Sequence, residues 1–310
     1  MVRCRQTPLV DRRGRDVHET RKVNCTELKA VGVAGRIEEV RRCTTGWRRQ
    51  GLRTALVPLT GGLHDGHLSM VRIAKARADR VVVALLNNTG RLCHDGEYTV
   101  SARQLSADIE KLEDAAVDLL FLPAEEEFHP QGSATRVAVD VLTDLMCGSN
   151  RPGYFDDVTL AVTKVLNIVP SDYALFGEKD WQCTQIMRRL VRDLHIDTEI
   201  LTCPTVREAD GLAMSSRNAR MDREARQVAR SLYAALKLVA DEIANGVPTE
   251  LSCARAEDGL IASGFDAVDY LECRDGESLR MAMAPFGRAR VFGAARIGDV
   301  RLIDNVEVPV

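Results

Sequence analysis

The sequence predicts an α/β protein: a mostly parallel sheet with helices on both faces, followed by a smaller α+β domain. Apolar strand-like runs alternate with amphipathic helical runs from residue 36 to residue 201, the pattern of parallel βαβ units. After Val206 the alternation stops, and helices come first with strands behind them. A chain of 310 residues is long enough for two domains and a full core. The expected division is an N-terminal extension at 1–30, the sheet domain at 31–205 and the smaller domain at 206–310.

Taken in order, Arg36 to Gln50 reads as a helix, Arg53 to Pro58 as a strand, and Gly66 to Asp79 as a helix with Leu68, Val71, Ala74 and Ala78 on one face. Arg80 to Leu86 is the next strand, and Asn87 to Tyr98 a polar loop. Leu105, Ile109, Leu112 and Ala116 mark a helix face, and Val117 to Leu122 a strand. Val158 to Ile168 is helical, Ala174 to Phe176 a short strand, Asp180 to Leu194 a helix and Thr198 to Leu201 a strand. In the second domain Val228, Leu232, Leu236, Val239 and Ile243 mark one long helix ending at Gly246. A helix from Glu250 to Ser263 follows, then strands ending at Arg301-Leu302-Ile303-Asp304-Asn305.

The totals exclude some functions. A formal net charge of −3 argues against a nucleic-acid binder, which is usually basic. No apolar run approaches a membrane span. The N-terminal residues are arginine-rich without an apolar stretch, so they do not read as a secretory signal. The nine cysteines are scattered and lack zinc spacing. Most are expected to be reduced thiols in a cytoplasmic protein.

One stretch organises the rest: Pro58-Leu59-Thr60-Gly61-Gly62-Leu63-His64-Asp65-Gly66-His67. It falls where a strand ends and a helix begins. A helix N-terminus offers unpaired N–H groups and partial positive charge to a phosphate. Two imidazoles added there suit the charge on a phosphoryl group in flight. The plainer alternative is a Gly-rich turn with two surface histidines. Pro58, Asn88 and Gly177 all fall at strand carboxyl ends, where parallel sheets place ligands.

Three further stretches stand out. In Phe176-Gly177-Glu178-Lys179-Asp180 a lysine can reach phosphate oxygens, and Asp180 can hold magnesium or cap a helix. Arg207 to Asn218 contains Met214-Ser215-Ser216-Arg217, two hydroxyls and a guanidinium that suit a polyphosphate. Taken alone, the first reads more readily as a helix cap with a solvated lysine, and the second as a polar loop with helix-capping serines. Asn150 to Asp157 reads as a turn with an aromatic anchor.

In this order the motifs resemble the pantothenate synthetase (pantoate–β-alanine ligase) family. The likeness runs from about Arg36 to Asn305. The family's Pro-Thr-Met-Gly-x-Leu-His-x-Gly-His corresponds to Pro58–His67. Gly-Glu-Lys-Asp is intact at Gly177–Asp180, and Asp-Gly-Leu-Ala-Met-Ser-Ser-Arg-Asn at Asp210–Asn218. The resemblance implies a Rossmann-like nucleotide-binding domain and a two-step reaction with ATP and magnesium. A carboxylate attacks the α-phosphate to give an acyl-adenylate and pyrophosphate. An amine then attacks the acyl carbon to give an amide and AMP. It further implies that His64, His67, Lys179 and Arg217 are catalytic, with Ser215 and Ser216 assisting at the phosphates. Gly61, Gly177, Val206 and Met214 would lie against the nucleotide, and Asp180 near the magnesium. Partners are a small acid and a small amine, and the family is typically homodimeric.

The acid side departs from the family. Phe-Val-Asn-Pro-x-Gln-Phe is here Leu86-Asn87-Asn88-Thr89-Gly90-Arg91-Leu92, so Asn88 is kept and a pantoate-binding glutamine is Arg91. The second such glutamine is Cys183, and the motif methionine is Thr60. Losing two amides that hold a hydroxy acid costs about 1–3 kcal/mol each where a partner is left unpaired. Arg91 favours an additional carboxylate or strongly polar group on the acid, unless it pairs with Asp95 or Glu97. The reading is therefore an adenylating amide ligase whose acid is no longer pantoate. Ordinary pantothenate synthesis is the alternative, followed by a nucleotidyltransferase that stops at AMP transfer and by an idle nucleotide binder.

Overall fold

The computed structural model describes residues 31–86, 101–282 and 288–309. Strands β1 (Gly32–Ala34), β2 (Thr54–Leu59), β3 (Arg80–Leu85), β4 (Leu119–Phe121), β5 (Tyr173–Gly177) and β6 (Glu199–Cys203) form one six-stranded sheet. All its pairings are parallel, in the order β1-β4-β3-β2-β5-β6. Between the strands lie α1 (Ile37–Arg49), α2 (Asp65–Arg77), α3 (Ala102–Asp114), the short α4 (Glu125–Phe128) and α5 (Cys147–Asn150), α6 (Tyr154–Ile168) and α7 (Trp181–Asp193).

The strands read as apolar runs because both faces are covered. Along β2, Leu56 packs into one core while Ala55, Val57 and Leu59 pack into another. β3 alternates likewise, with Val82 and Ala84 on one face and Val81, Val83 and Leu85 on the other. Fully burying each such valine or leucine contributes about 1.5–3 kcal/mol, so the sheet centre is the rigid platform beneath the site.

Beyond β6, α8 (Arg223–Ala229), α9 (Ser231–Ala244) and α10 (Thr249–Ala262) precede an antiparallel sheet of β7 (Ala267–Asp275), β8 (Ala289–Ile297) and β9 (Val300–Glu307). Leu232, Leu236, Val239 and Ile243 of α9 form its core with Val291, Ala295 and Leu302. Tyr270 and Phe292 instead join the core of the first sheet, so the two sheets are packed together.

The α/β class and the smaller α+β part are as expected. Four details differ. β1 is a three-residue strand too short to register as a pattern. α6 begins at Tyr154, so the stretch taken as a turn through Asp157 is a turn only as far as Gly153, whose φ of 82° sets up the helix start. The long second-domain helix is two, α8 and α9, and Arg230 joins them in right-handed helical conformation. The face marked at Leu105 to Ala116 overshoots, because α3 ends at Asp114 and Ala116 takes a φ of 52° on the way into β4. Among the described residues no helix is long and apolar enough to cross a membrane. Cys147, Cys183, Cys203, Cys253 and Cys273 carry free thiols, whereas Cys43 is disulfide-bonded.

Candidate active site

The strand order fixes where a ligand fits. From β2 the sheet extends through β3 on one side and β5 on the other, so connections leaving these neighbours open a crevice at their carboxyl ends. A cleft of about 300 Å³ lies there. All eleven residues assigned to ATP line it, from Gly61, His64 and His67 through Gly177, Lys179 and Asp180 to Val206, Met214, Ser215, Ser216 and Arg217. Thr60 and Cys183, from the acid-side set, line it too. Asn88 and Arg91, and with them the possible pairing to Asp95 or Glu97, lie outside the described residues.

The turn after β2 is held from below. Gly62 N and Leu63 N donate to the buried carboxylate of Asp108 on α3, at 2.7 and 2.9 Å. Gln104 Nε2 also donates to it, at 3.0 Å, and Lys111 Nζ donates to the Leu63 carbonyl. A buried charge satisfied by three donors fixes the turn. Gly62 adopts a φ of 79°, a conformation that favours glycine.

The two histidines then do something more specific than sit beside a helix start. His64 is the N-cap of α2, and its Nδ1 accepts from Gly66 N at 3.2 Å. His67 Nδ1 accepts from His64 N at 3.3 Å. Two of the backbone donors expected to be open are therefore taken by the rings themselves. With Nδ1 accepting, each neutral ring carries its proton on Nε2. The rings stack with centroids 3.9 Å apart. Gly66 is required here, since a Cβ would meet the His64 ring at 2.9 Å.

Burial, helped by Lys179, pushes His64 down to about 4. Burial and then the neighbouring His64 push His67 down to about 3. At neutral pH both are uncharged donors, and the positive charge of the site comes from Lys179 and Arg217. Lys179 Nζ stands 3.8 Å from Asp180, with the lysine largely buried and Asp180 open to the cleft.

The Lys179 loop is pinned by the second domain. Asn305 Nδ2 donates to the carbonyls of Glu178 and Lys179, at 2.9 and 3.1 Å. Glu178 accepts from Thr205 N at 3.1 Å and from Arg290 at 2.8 Å. Burial opposes ionisation of Glu178, but these donors hold its carboxyl below the usual range. The Ser-Ser-Arg loop is tied similarly: Arg207 grips Asp304 with two nitrogens, and Asn218 Nδ2 donates to Glu208 and Ala213. Ser215 caps the following turn by accepting from Arg217 N at 3.2 Å. Met214 N donates to the Val206 carbonyl at 3.0 Å, which closes the loop against β6.

The other side of the cleft is less polar. Leu86, Met70, Val158, Ala161 and Val162 line it, with Tyr154 and Cys183. Burial pushes the Tyr154 hydroxyl up to about 12 and raises the Cys183 thiol well above its usual value. Both are neutral at physiological pH, and Cys183 lies in the wall of the cleft.

Sequence reasoning missed Asp108, Lys111, Glu178 and Asn305 as supports. Asp108 carried a signal: a carboxylate among Leu105, Ile109 and Leu112 on an apolar face. Asp180 caps α7 without a side-chain hydrogen bond to its first turn. Among the described residues no group of three or more His, Cys, Asp or Glu is placed to hold a metal ion. A lone exposed carboxylate fits magnesium that arrives with phosphates, which needs one or two protein carboxylates rather than a cage.

A profile of the family described as pantoate-beta-alanine ligase matches residues 32–307. The pantothenate synthetase of Chelativorans sp. is 42% identical over 279 residues, covering 90% of this chain and 98% of the relative. That of Paracoccus denitrificans is 44% identical over 273 residues, covering 88% and 96%. Among solved structures, pantothenate synthetase from Thermus thermophilus superimposes with a TM-score of 0.81 at 36% identity, covering 90% and 99%. A pantoate-beta-alanine ligase from Francisella tularensis, complexed with beta-gamma ATP and beta-alanine, gives 0.74 at 28% identity, covering 90% and 98%.

Proposed function

The chain belongs to the pantoate–β-alanine ligase family, and from that premise we propose that it adenylates a small carboxylic acid other than pantoate and passes the acyl group to a small amine. ATP-dependent formation of a C–N bond is the family's chemistry. What is particular to this chain is the acid, and the observation that carries it is Cys183. A thiol and an apolar wall stand where the resemblance implies an amide that holds pantoate.

In the first step a carboxylate oxygen of the acid attacks the α-phosphorus, and the bond from that phosphorus to the α,β-bridging oxygen breaks to release pyrophosphate. His64 and His67 donate from Nε2 to the phosphate oxygens. Lys179 and Arg217 neutralise their charge, and Ser215 and Ser216 add hydroxyl donors. Gly61, Gly177, Val206 and Met214 flank the nucleotide. Magnesium, when bound, would shield charge between phosphates, with Asp180 as its protein ligand. In the second step the neutral amine attacks the acyl carbon, AMP leaves, and the amine's proton is lost to solvent or phosphate. Thr60, Asn88, Arg91 and Cys183 form the acid side. Residues 31–205 supply the sheet platform and 206–310 the part that pins the Lys179 and Ser215 loops. The reading also takes the protein as a cytoplasmic homodimer.

Pantoate with β-alanine is the second reading, favoured by the name its relatives carry at about 40% identity. The deciding experiment is acid-dependent exchange of labelled pyrophosphate into ATP, with magnesium, across hydroxy, keto and dicarboxylic acids. Exchange led by an acid other than pantoate is expected. Exchange led by pantoate sinks the proposal, and recovery of a stable adenylylated product without an amide would replace it with nucleotidyl transfer.

A further inference from the structure

Behind the cleft lies a second, smaller cavity of about 50 Å³. Tyr154, Lys179, Asp180, Cys183 and Arg217 line both spaces, so they form the partition between them. At position 183 that partition is one thiol. The far wall comes from the second sheet and includes Tyr270 and Arg301.

Arg301 is the unusual group. Its side chain is only 5% exposed. Nε donates to Asp269 at 2.6 Å, and Nη1 faces Cys147 Sγ at 3.4 Å. Nη2 is buried and has no hydrogen-bond partner among the described residues. Asp269 also accepts from Arg296 at 2.9 Å, so one carboxylate answers two guanidinium groups. A buried donor without an acceptor is unfavourable, and more so when charged. The cations of the lining outnumber its carboxylates. Arg151 lies over the Tyr154 ring at 3.7 Å, and Lys179 and Arg217 add charge, while of the two carboxylates Asp180 stands 3.8 Å from Lys179 and Asp304 is engaged by Arg207. Burial keeps the Tyr154 and Tyr270 hydroxyls protonated, so they add no opposing charge, and the Tyr270 hydroxyl lies 3.1 Å from Cys147 Sγ.

We propose that this inner cavity receives the far end of the acid substrate, and that this end carries a second carboxylate which accepts from Arg301. The acid is then a dicarboxylate, with one carboxylate presented to the α-phosphate that His64, His67 and Lys179 hold and the chain passing Cys183. This rests on the reading that the acid is not pantoate. Arg301 supplies an otherwise unmatched donor beside a carboxylate shared with Arg296, and a neutral tail leaves that donor unmatched.

The test is pyrophosphate exchange by the full chain with acids paired by length: succinate against butyrate, glutarate against valerate, malate against 3-hydroxybutyrate. The diacid of at least one pair is expected to show a KM at least about tenfold below its partner. Arg301→Gln should raise the diacid KM about tenfold or more while leaving the KM for ATP unchanged, and Arg301→Lys should restore part of it. Cys183→Leu, which fills the partition without touching the Arg301–Asp269 pair, should raise the diacid KM in the same way. Exchange led by pantoate overturns the altered-acid reading and this proposal together. Exchange led by another acid without a distal charge, no exchange with any diacid, or equal effects of both variants on diacid and monoacid overturns the dicarboxylate assignment alone.

Discussion

The two sides of the cleft are held in different ways. On the nucleotide side, hydrogen bonds from remote residues pin each loop: Asp108 beneath Gly62 and Leu63, Asn305 and Arg290 at Glu178, Asp304 at Arg207. On the acid side, the wall facing the cleft is made of shape, with Val158, Ala161, Val162 and Cys183 presented by two helices. A polar network tolerates little change, because each lost partner leaves a buried group unmatched. An apolar wall can be re-cut for a smaller cost per substitution. On the proposed function, this contrast is what would let the adenylation chemistry persist while the acid changes.

The sharpest way to break the comparison is at Lys179, whose ammonium is the largely buried cation beside the histidines. Lys179→Ala should lower the rate of pyrophosphate exchange about 10²–10³-fold, the scale of losing one preorganised group at a developing charge, with an unchanged thermal melt. A drop below tenfold would mean that the nucleotide side is no more demanding than the acid side.

Next comes Asp108→Asn. One oxygen replaces two acceptors for Gly62 N, Leu63 N and Gln104, and an amide donor is turned toward backbone donors. The expected destabilisation is about 2–3 kcal/mol, measured by urea unfolding, together with a raised KM for ATP. A stable variant with a normal KM would show that the turn after β2 is held by β2 itself.

A smaller effect is expected on the acid side. Cys183→Gln restores an amide and fills volume, and should shift the preference between pantoate and the native acid by about tenfold toward pantoate, within the range one pocket contact supplies. The same substitution should leave the KM for ATP unchanged. If ATP binding moves as much as acid preference, the two sides are not separable.

How much of this could be read from sequence follows the same division. The stretches at Pro58–His67, Gly177–Asp180 and Asp210–Asn218 are local, and each signalled a strand-end turn or polar loop that the fold brings to one crevice. The supports are distant in the chain, with Asp108 meeting Gly62 across 46 positions and Asn305 meeting Glu178 across 127. Spacing rules do not reach that far. The start of α6 is hidden in the sequence because Arg151-Pro152-Gly153 reads as a turn, and it is one, but the chain turns directly into a helix with Asp156 and Asp157 in its first turn. The sequence points to the two histidines but not to their charge, because burial, Lys179 and the contact between the rings decide it.

That charge yields the smallest and most specific expectation. An unfolded histidine titrates near 6.5, whereas His64 and His67 in the fold lie at about 4 and about 3. Above pH 6.5 both states are neutral at these rings, and they contribute no pH dependence. As pH falls from 6.5 toward 4, the unfolded chain binds protons that the folded one refuses, so folding weakens. The loss stops growing once the folded rings protonate. Urea midpoints should therefore fall between pH 7 and pH 4.5, and His67→Gln should flatten that slope while carboxylates titrating lower leave it unchanged. Bound ATP brings negative charge to both rings and raises their values, so saturating nucleotide should flatten the wild-type slope as well. A slope that is identical in wild type, variant and nucleotide complex would mean that the rings are not the neutral donors on which the nucleotide side of the comparison depends.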